Sequence, residues 1–140
     1  MGKNVKLIKW NNDFSVSNVF FDNQHKKFIR ILNNLANAIN NDCKIKTQDV
    51  FFELIYYIEH YMIEKDVTLI NCDIKKYIKH KKLHNKLLKK VEECYQKLSN
   101  SPNISECCTN LYSYLRNWFV SYIKLIKQNN FNECWKQNNN

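Results

Sequence analysis

Every histidine of the chain falls into one spaced set: His25, then His60 with Glu64, then the pair His80 and His84. The last two groups have i, i+4 spacing. One helical turn separates their members, so each pair shares a helix face. His60-Tyr-Met-Ile-Glu64 offers an imidazole and a carboxylate to a common point, and His80-Lys-Lys-Leu-His84 offers two imidazoles. Such donors suit iron, and also zinc or manganese. With no histidine left over, the pattern points to a metal site.

The elements that position these residues are expected to be few, long helices. The 140 residues contain one Gly and one Pro, and a β-rich chain would need turn residues every 8–12 positions. A first helix is expected from about Asn18 to Ile39, with Phe21, Phe28, Leu32, Leu35 and Ile39 on its apolar stripe and His25 in register with them. Thr47 reads as the N-cap of a second helix that runs to about Lys65. Its inner positions include Val50, Leu54, Tyr57 and Tyr61, with His60 and Glu64 along the edge. Asp73 reads as the cap of a third helix through Tyr77, His80, Leu83, His84, Leu87, Val91 and Cys94. A polar loop, Ser99 to Asn103, leads to a fourth carrying Leu111, Leu115, Trp118, Tyr122 and Ile126. The expected fold is all-α: one domain over 1–140, an antiparallel up-down four-helix bundle. Residues 1–17 form an extended N-terminal arm, and 129–140 form a polar tail that frays unless Trp135 packs back.

The bulk properties narrow the function. The formal charge is +9, concentrated at Lys75, Lys76, Lys79, Lys81, Lys82, Lys86, Lys89 and Lys90. With no nucleic-acid motif beside it, this run reads as a solvated lysine face, and no nucleic-acid role is expected. No signal peptide or run of membrane-spanning length stands out, and none of the six cysteines forms a C-x-x-C pair. Free thiols, no membrane partner and a reducing, cytoplasmic location are therefore expected, with Cys72 and Cys94 as small apolar fillers.

Several motifs then resemble the hemerythrin family in the right order. Trp10-Asn-Asn-Asp-Phe14-Ser-Val16 is similar to its N-terminal arm, and Phe21-Asp22-Asn23-Gln24-His25 resembles its I-D-x-Q-H signature. His60-Tyr61-x-x-Glu64 resembles H-F-x-x-E, His80-x-x-x-His84 resembles H-x-x-x-H, and Leu115-x-x-Trp118-Phe119-x-x-Tyr122-Ile123 resembles L-x-x-W-L-x-x-H-I. The resemblance implies a non-haem di-iron centre inside the bundle that binds O₂ reversibly. His25 and His60 would serve one iron, His80 and His84 the other, and Glu64 would bridge them.

Two family ligands are replaced: the final histidine by Tyr122 and a bridging carboxylate by Lys127. A cation about 4 Å from a divalent ion costs on the order of 8 kcal/mol at an effective dielectric near 20. Lys127 must then extend outward, lose its proton or take the place of one metal. The expectation is an altered, mononuclear iron site. It is held either by His25, His60 and Glu64, or by His80, His84 and Glu64 with Tyr122 as ligand or cavity wall. Its ligand is O₂, NO or another small diatomic, in sensing or iron handling and not in enzymatic turnover. Two alternatives remain: a mononuclear iron redox enzyme, and a metal-free helical-bundle interaction module with a basic face.

Overall fold

The computed structural model describes residues 5–42, 44–100, 105–128 and 131–138. Four long helices, α1 (Val19–Asn40), α2 (Lys44–Ile70), α3 (Ile74–Asn100) and α4 (Ser105–Gln128), are followed by a short α5 (Phe131–Asn138). No strand occurs among the described residues. α1 packs on α2 and α4, and α3 completes the ring by packing on the same two helices. Short connections make sequential neighbours antiparallel, as the composition leads one to expect.

The helix ends follow from local chemistry. Asn18 caps α1, its side-chain oxygen accepting from the Phe21 amide at 3.2 Å. The Asp73 carboxylate accepts from the Lys75 and Lys76 amides at 3.1 and 3.2 Å, which caps α3 as expected. Asp42, just past α1, takes the left-handed conformation (φ 50°) that commonly ends a helix. α2 departs from expectation at both ends. It begins at Lys44, so Thr47 lies inside the helix and fully buried, not at its cap, and it runs past Lys65 to Ile70. A second apolar series, Met62, Leu69 and the buried Thr68, gives the added turn a core to pack on.

The arm crosses the bundle in the extended form predicted, apart from a 3-10 turn at Asn12–Phe14. Side chains of α1 hold it: Asn33 pairs with both backbone groups of Ile8 at 2.8 Å, and Asn40 pairs with those of Val5 at 2.6 and 2.9 Å. These bonds satisfy backbone groups that no sheet or helix partner reaches.

The tail does not fray over its described part. α5 buries Phe131 and Cys134, sets Phe131 edge-on to Phe21 at 4.8 Å, and stacks Trp135 on Phe20 at 6.0 Å. Cys134 is joined by a disulfide to Cys72 in the turn between α2 and α3. The expectation of free thiols, with Cys72 as a mere filler, is corrected for this pair. The two residues are 62 apart in sequence, and no spacing rule links cysteines that only a docked helix brings together. Cys94, Cys107 and Cys108 are free, and Cys43 lies outside the described residues. No helix among the described residues is long and apolar enough to cross a membrane.

Candidate functional site

The interior cluster is set by the register of α2. Its inward stripe runs Val50, Leu54, Tyr57, Tyr61 and Leu69, and Lys65 occupies the turn between the last two. Adjacent helical residues point about 100° apart. His60 and Glu64, each one position before this stripe, therefore face outward. His60 is exposed and lies against the Tyr56 ring at 4.0 Å between centroids. Glu64 is also exposed and accepts a 2.8 Å hydrogen bond from Gln24 Nε2. The structure does not bring these two expected ligands to the other histidines.

Lys65 and Asp66 enter instead. Asp66 is 5% exposed and binds both histidines of α3, Oδ1 to His80 Nδ1 at 2.6 Å and Oδ2 to His84 Nδ1 at 2.8 Å. The half-exposed Lys81 reaches the same carboxylate at 3.5 Å. Burial would raise the Asp66 pKa, but the hydrogen bonds and charges of His80 and His84 outweigh it and hold the carboxyl well below its ordinary range. An ionised Asp66 accepts, so both imidazoles donate from Nδ1, and His80 keeps a lone pair on Nε2; the tautomer is assigned from this network. His80 Nε2 then accepts from the Tyr122 hydroxyl at 2.7 Å. Burial lowers the His80 pKa, partly opposed by Asp66. It raises that of Tyr122 well above normal, with Tyr57 and Asp66 adding to the effect. Tyr122 is thus a neutral phenol that stacks on Trp118 at 4.7 Å and closes the Tyr–His–Asp–His chain.

Beside this chain sits a group of buried polar atoms without hydrogen-bond partners. Lys65 is 1% exposed, and its Nζ lies 5.6 Å from the centroid of Phe21 and 5.2 Å from that of Tyr122. It makes no hydrogen bond. Burial draws its pKa down from 10.5 to about 7 against the pull of Glu64 and Asp66. His25, in register on α1 as expected, is also 1% exposed, and neither ring nitrogen has a partner. Its ring stands edge-on to Phe119 and Tyr122, each at 6.1 Å. Burial and the charge of Lys65 hold His25 well below the ordinary histidine pKa.

Lys127 takes the first of the courses open to it. It is exposed, and Nζ donates to the Asp13 carbonyl of the arm at 2.5 Å. The predicted residues thus divide into two sets. His25, His80, His84 and Tyr122 lie in the interior, whereas His60, Glu64 and Lys127 lie outside. Reading the sequence by its histidines missed Lys65 and Asp66. The available signal was the stripe itself, since Tyr61 plus one turn is Lys65. Among the described residues, no three His, Cys, Asp or Glu side chains converge to hold a metal ion.

No family model matches the chain. It is 27% identical over 126 residues to the bacteriohemerythrin of Clostridium acetobutylicum, a match covering 87% of this chain and 92% of that protein. It is 26% identical over 118 residues to the bacteriohemerythrin of Aquifex aeolicus, covering 84% and 87%. A third bacteriohemerythrin, from Stenotrophomonas maltophilia, is 24% identical over 121 residues, covering 86% and 76%. The chain is thus similar to bacteriohemerythrins along nearly the whole bundle, on an all-α frame that keeps His25, His80 and His84 inside.

Proposed function

We propose that this chain is a hemerythrin-like bundle that works as a metal-free polar-core module and not as a di-iron O₂ carrier. The observation that carries this reading is Lys65. Hemerythrin-like proteins hold non-haem iron, and the resemblance assigns a bridging carboxylate to the second helix. The inward position of that helix is here an ammonium-bearing side chain, 1% exposed. Two divalent ions side by side need anionic bridges to offset their repulsion. A divalent ion about 5 Å from an ammonium instead meets a repulsion of about 7 kcal/mol at an effective dielectric near 20. The penalty argued above for Lys127 thus reappears at Lys65 wherever it is protonated, below about pH 7.

The donor set agrees with this. Tyr61, also on the inward stripe, adds a phenol whose oxygen accepts from Lys27 Nζ at 3.0 Å. The buried carboxylate nearest the histidines, Asp66, is already bound to two imidazoles. The interior therefore does not fit a di-iron centre. The test is anaerobic reconstitution with ferrous iron, followed by metal analysis and optical spectra with and without O₂. The expected result is no stoichiometric iron and no O₂-dependent band. Two irons per chain with such a band would refute the proposal.

A second reading, one metal on the imidazoles, rests on a separate observation. Asp66 fixes His80 and His84 through Nδ1, the way carboxylates usually orient metal-binding histidines, and a metal on His80 Nε2 would replace its bond to the Tyr122 hydroxyl. On that reading Lys65→Glu supplies the missing anion with His25, His80 and His84 as the imidazole donors. The parent should take up one equivalent of ferrous iron or zinc, and the variant should hold it more tightly. A Lys65→Glu protein that remains free of metal removes this reading.

A further inference from the structure

We propose that the outward face of α2 is a self-association surface, across which two copies of this chain dock antiparallel about a two-fold axis. The proposal holds whether or not the interior carries a metal.

α2 is apolar on two opposite faces. Opposite its inward stripe, Phe52, Tyr56, Ile63, Val67 and Ile70 fall within an arc of about 60° on the solvent side. Their steps of three, four and seven residues are those of a helix–helix seam. Ile74 and Ile78 continue the face onto α3, on one ridge with Lys81, which reaches Asp66 of α2. A helix that is apolar all round is normally covered on all sides. Here no described element covers the outer face, and these side chains are 46–59% exposed. Half of a large apolar side chain is about 100 Å². Together they present on the order of 700 Å², above the largest patch of an ordinary monomer and close to what each partner of a stable complex buries. An anionic membrane surface would favour a basic rim. From Asp49 onward, the exposed charges of α2 are instead all acidic: Asp49, Glu53, Glu59 and Glu64.

The face is self-complementary in the antiparallel sense. Its N-terminal half carries two exposed rings, Phe52 and Tyr56. Its C-terminal half carries an open groove of about 480 Å³, lined by Ile63 and Val67 with Phe20 and Trp135. With the two-fold axis at the middle of the stripe, Tyr56 meets the partner's Val67 and Phe52 meets the partner's Ile70. Each copy then sets an aromatic anchor into the other's groove, the arrangement that carries most of the energy in stable interfaces. Parallel copies would leave both grooves unfilled and would set Asp49, Glu53 and Glu59 against their own images. In the antiparallel pair Asp49 and Glu53 fall at the level where α3 begins and exposes Lys75 and Lys79.

Sedimentation equilibrium of the full-length chain in non-reducing buffer reads the association. The expected result is a concentration-dependent dimer for the parent, weakened about 30-fold or more in Val67→Glu and in Tyr56→Glu. Both side chains are exposed, so the variants should keep the parent's circular dichroism and thermal midpoint at monomeric concentrations. Val120→Glu, at an exposed apolar position on α4, should dimerise like the parent. Orientation is read by cross-linking. Singly substituted Tyr56→Cys and Val67→Cys proteins, mixed and oxidised, should link to each other in preference to themselves. A parent that stays monomeric at millimolar concentration, or a dimer that Val67→Glu and Tyr56→Glu leave intact, overturns the proposal. A monomer that binds anionic phospholipid vesicles through this face also overturns it. Tyr56→Cys protein that links mainly to itself overturns the antiparallel arrangement.

Discussion

At the scale of single residues, Lys65 dominates the energetics of the interior. Its pKa falls from 10.5 to about 7 on folding because the ammonium is desolvated. The sign of the pH dependence follows from proton counts. Between about pH 7 and 10.5 the unfolded chain binds this proton and the folded chain does not, so stability rises with pH across that window. Below pH 7 the full penalty of burying the charge applies, and each pKa unit is worth about 1.4 kcal/mol. Lys65→Met should therefore be more stable than the parent by several kcal/mol (an order-of-magnitude figure) at pH 6 in a gluconate buffer, with the gap closing toward pH 10.5. Urea titrations at three pH values measure it. A gap that does not change with pH would show that Lys65 does not carry the charge ascribed to it.

At the scale of elements, the register of α2 decides which residues form the cluster. The helices themselves were legible in the sequence, because scarce breakers and 3.6-residue periodicity both follow from local chemistry. The stripe Phe21, Phe28, Leu32, Leu35, Ile39 with His25 lies on the buried face of α1 as read. The contents of the cluster were less legible. His60 and Glu64 have the right residue types at the right spacing, but spacing is blind to absolute rotation, and one residue of register turns a side chain about 100°. The apolar stripe does carry rotation. Val50, Leu54, Tyr57 and Tyr61 already led one turn on to Lys65, a residue that binary patterning assigns to solvent. This register makes a paired prediction. His60→Ala removes an exposed ring and should change stability by less than about 0.5 kcal/mol. Asp66→Asn leaves two buried imidazoles without their anionic acceptor and should cost about 2–3 kcal/mol. Chemical denaturation of the two variants separates them. Comparable losses at both positions would mean that His60 faces inward.

At the scale of the whole molecule, α5 packs on α2 and α4 and covers one end of the bundle beside Lys65. Phe21 is the link. Its ring faces Lys65 Nζ at 5.6 Å on one side and meets Phe131 of α5 at 4.8 Å on the other. An eight-residue helix is too short to hold itself in place. Packing of Phe131 and Trp135 and the Cys72–Cys134 bond must do so. That bond closes a long loop between the α2–α3 turn and α5, for which chain entropy gives stabilisation of about 4 kcal/mol and engineered cases often less. Reduction, or Cys134→Ser, should therefore lower stability by about 2–4 kcal/mol and speed amide exchange across α5 first, since the four long helices keep their own contacts. Loosening α5 also uncovers Phe21, so water should reach Lys65 and the pH dependence between about 7 and 10.5 should flatten. Thiol titration of the denatured protein before and after reduction gives the control, with two additional thiols expected on reduction. If the oxidised and reduced proteins unfold at the same denaturant concentration and keep the same pH profile, α5 is not the element that keeps the Lys65 site dry.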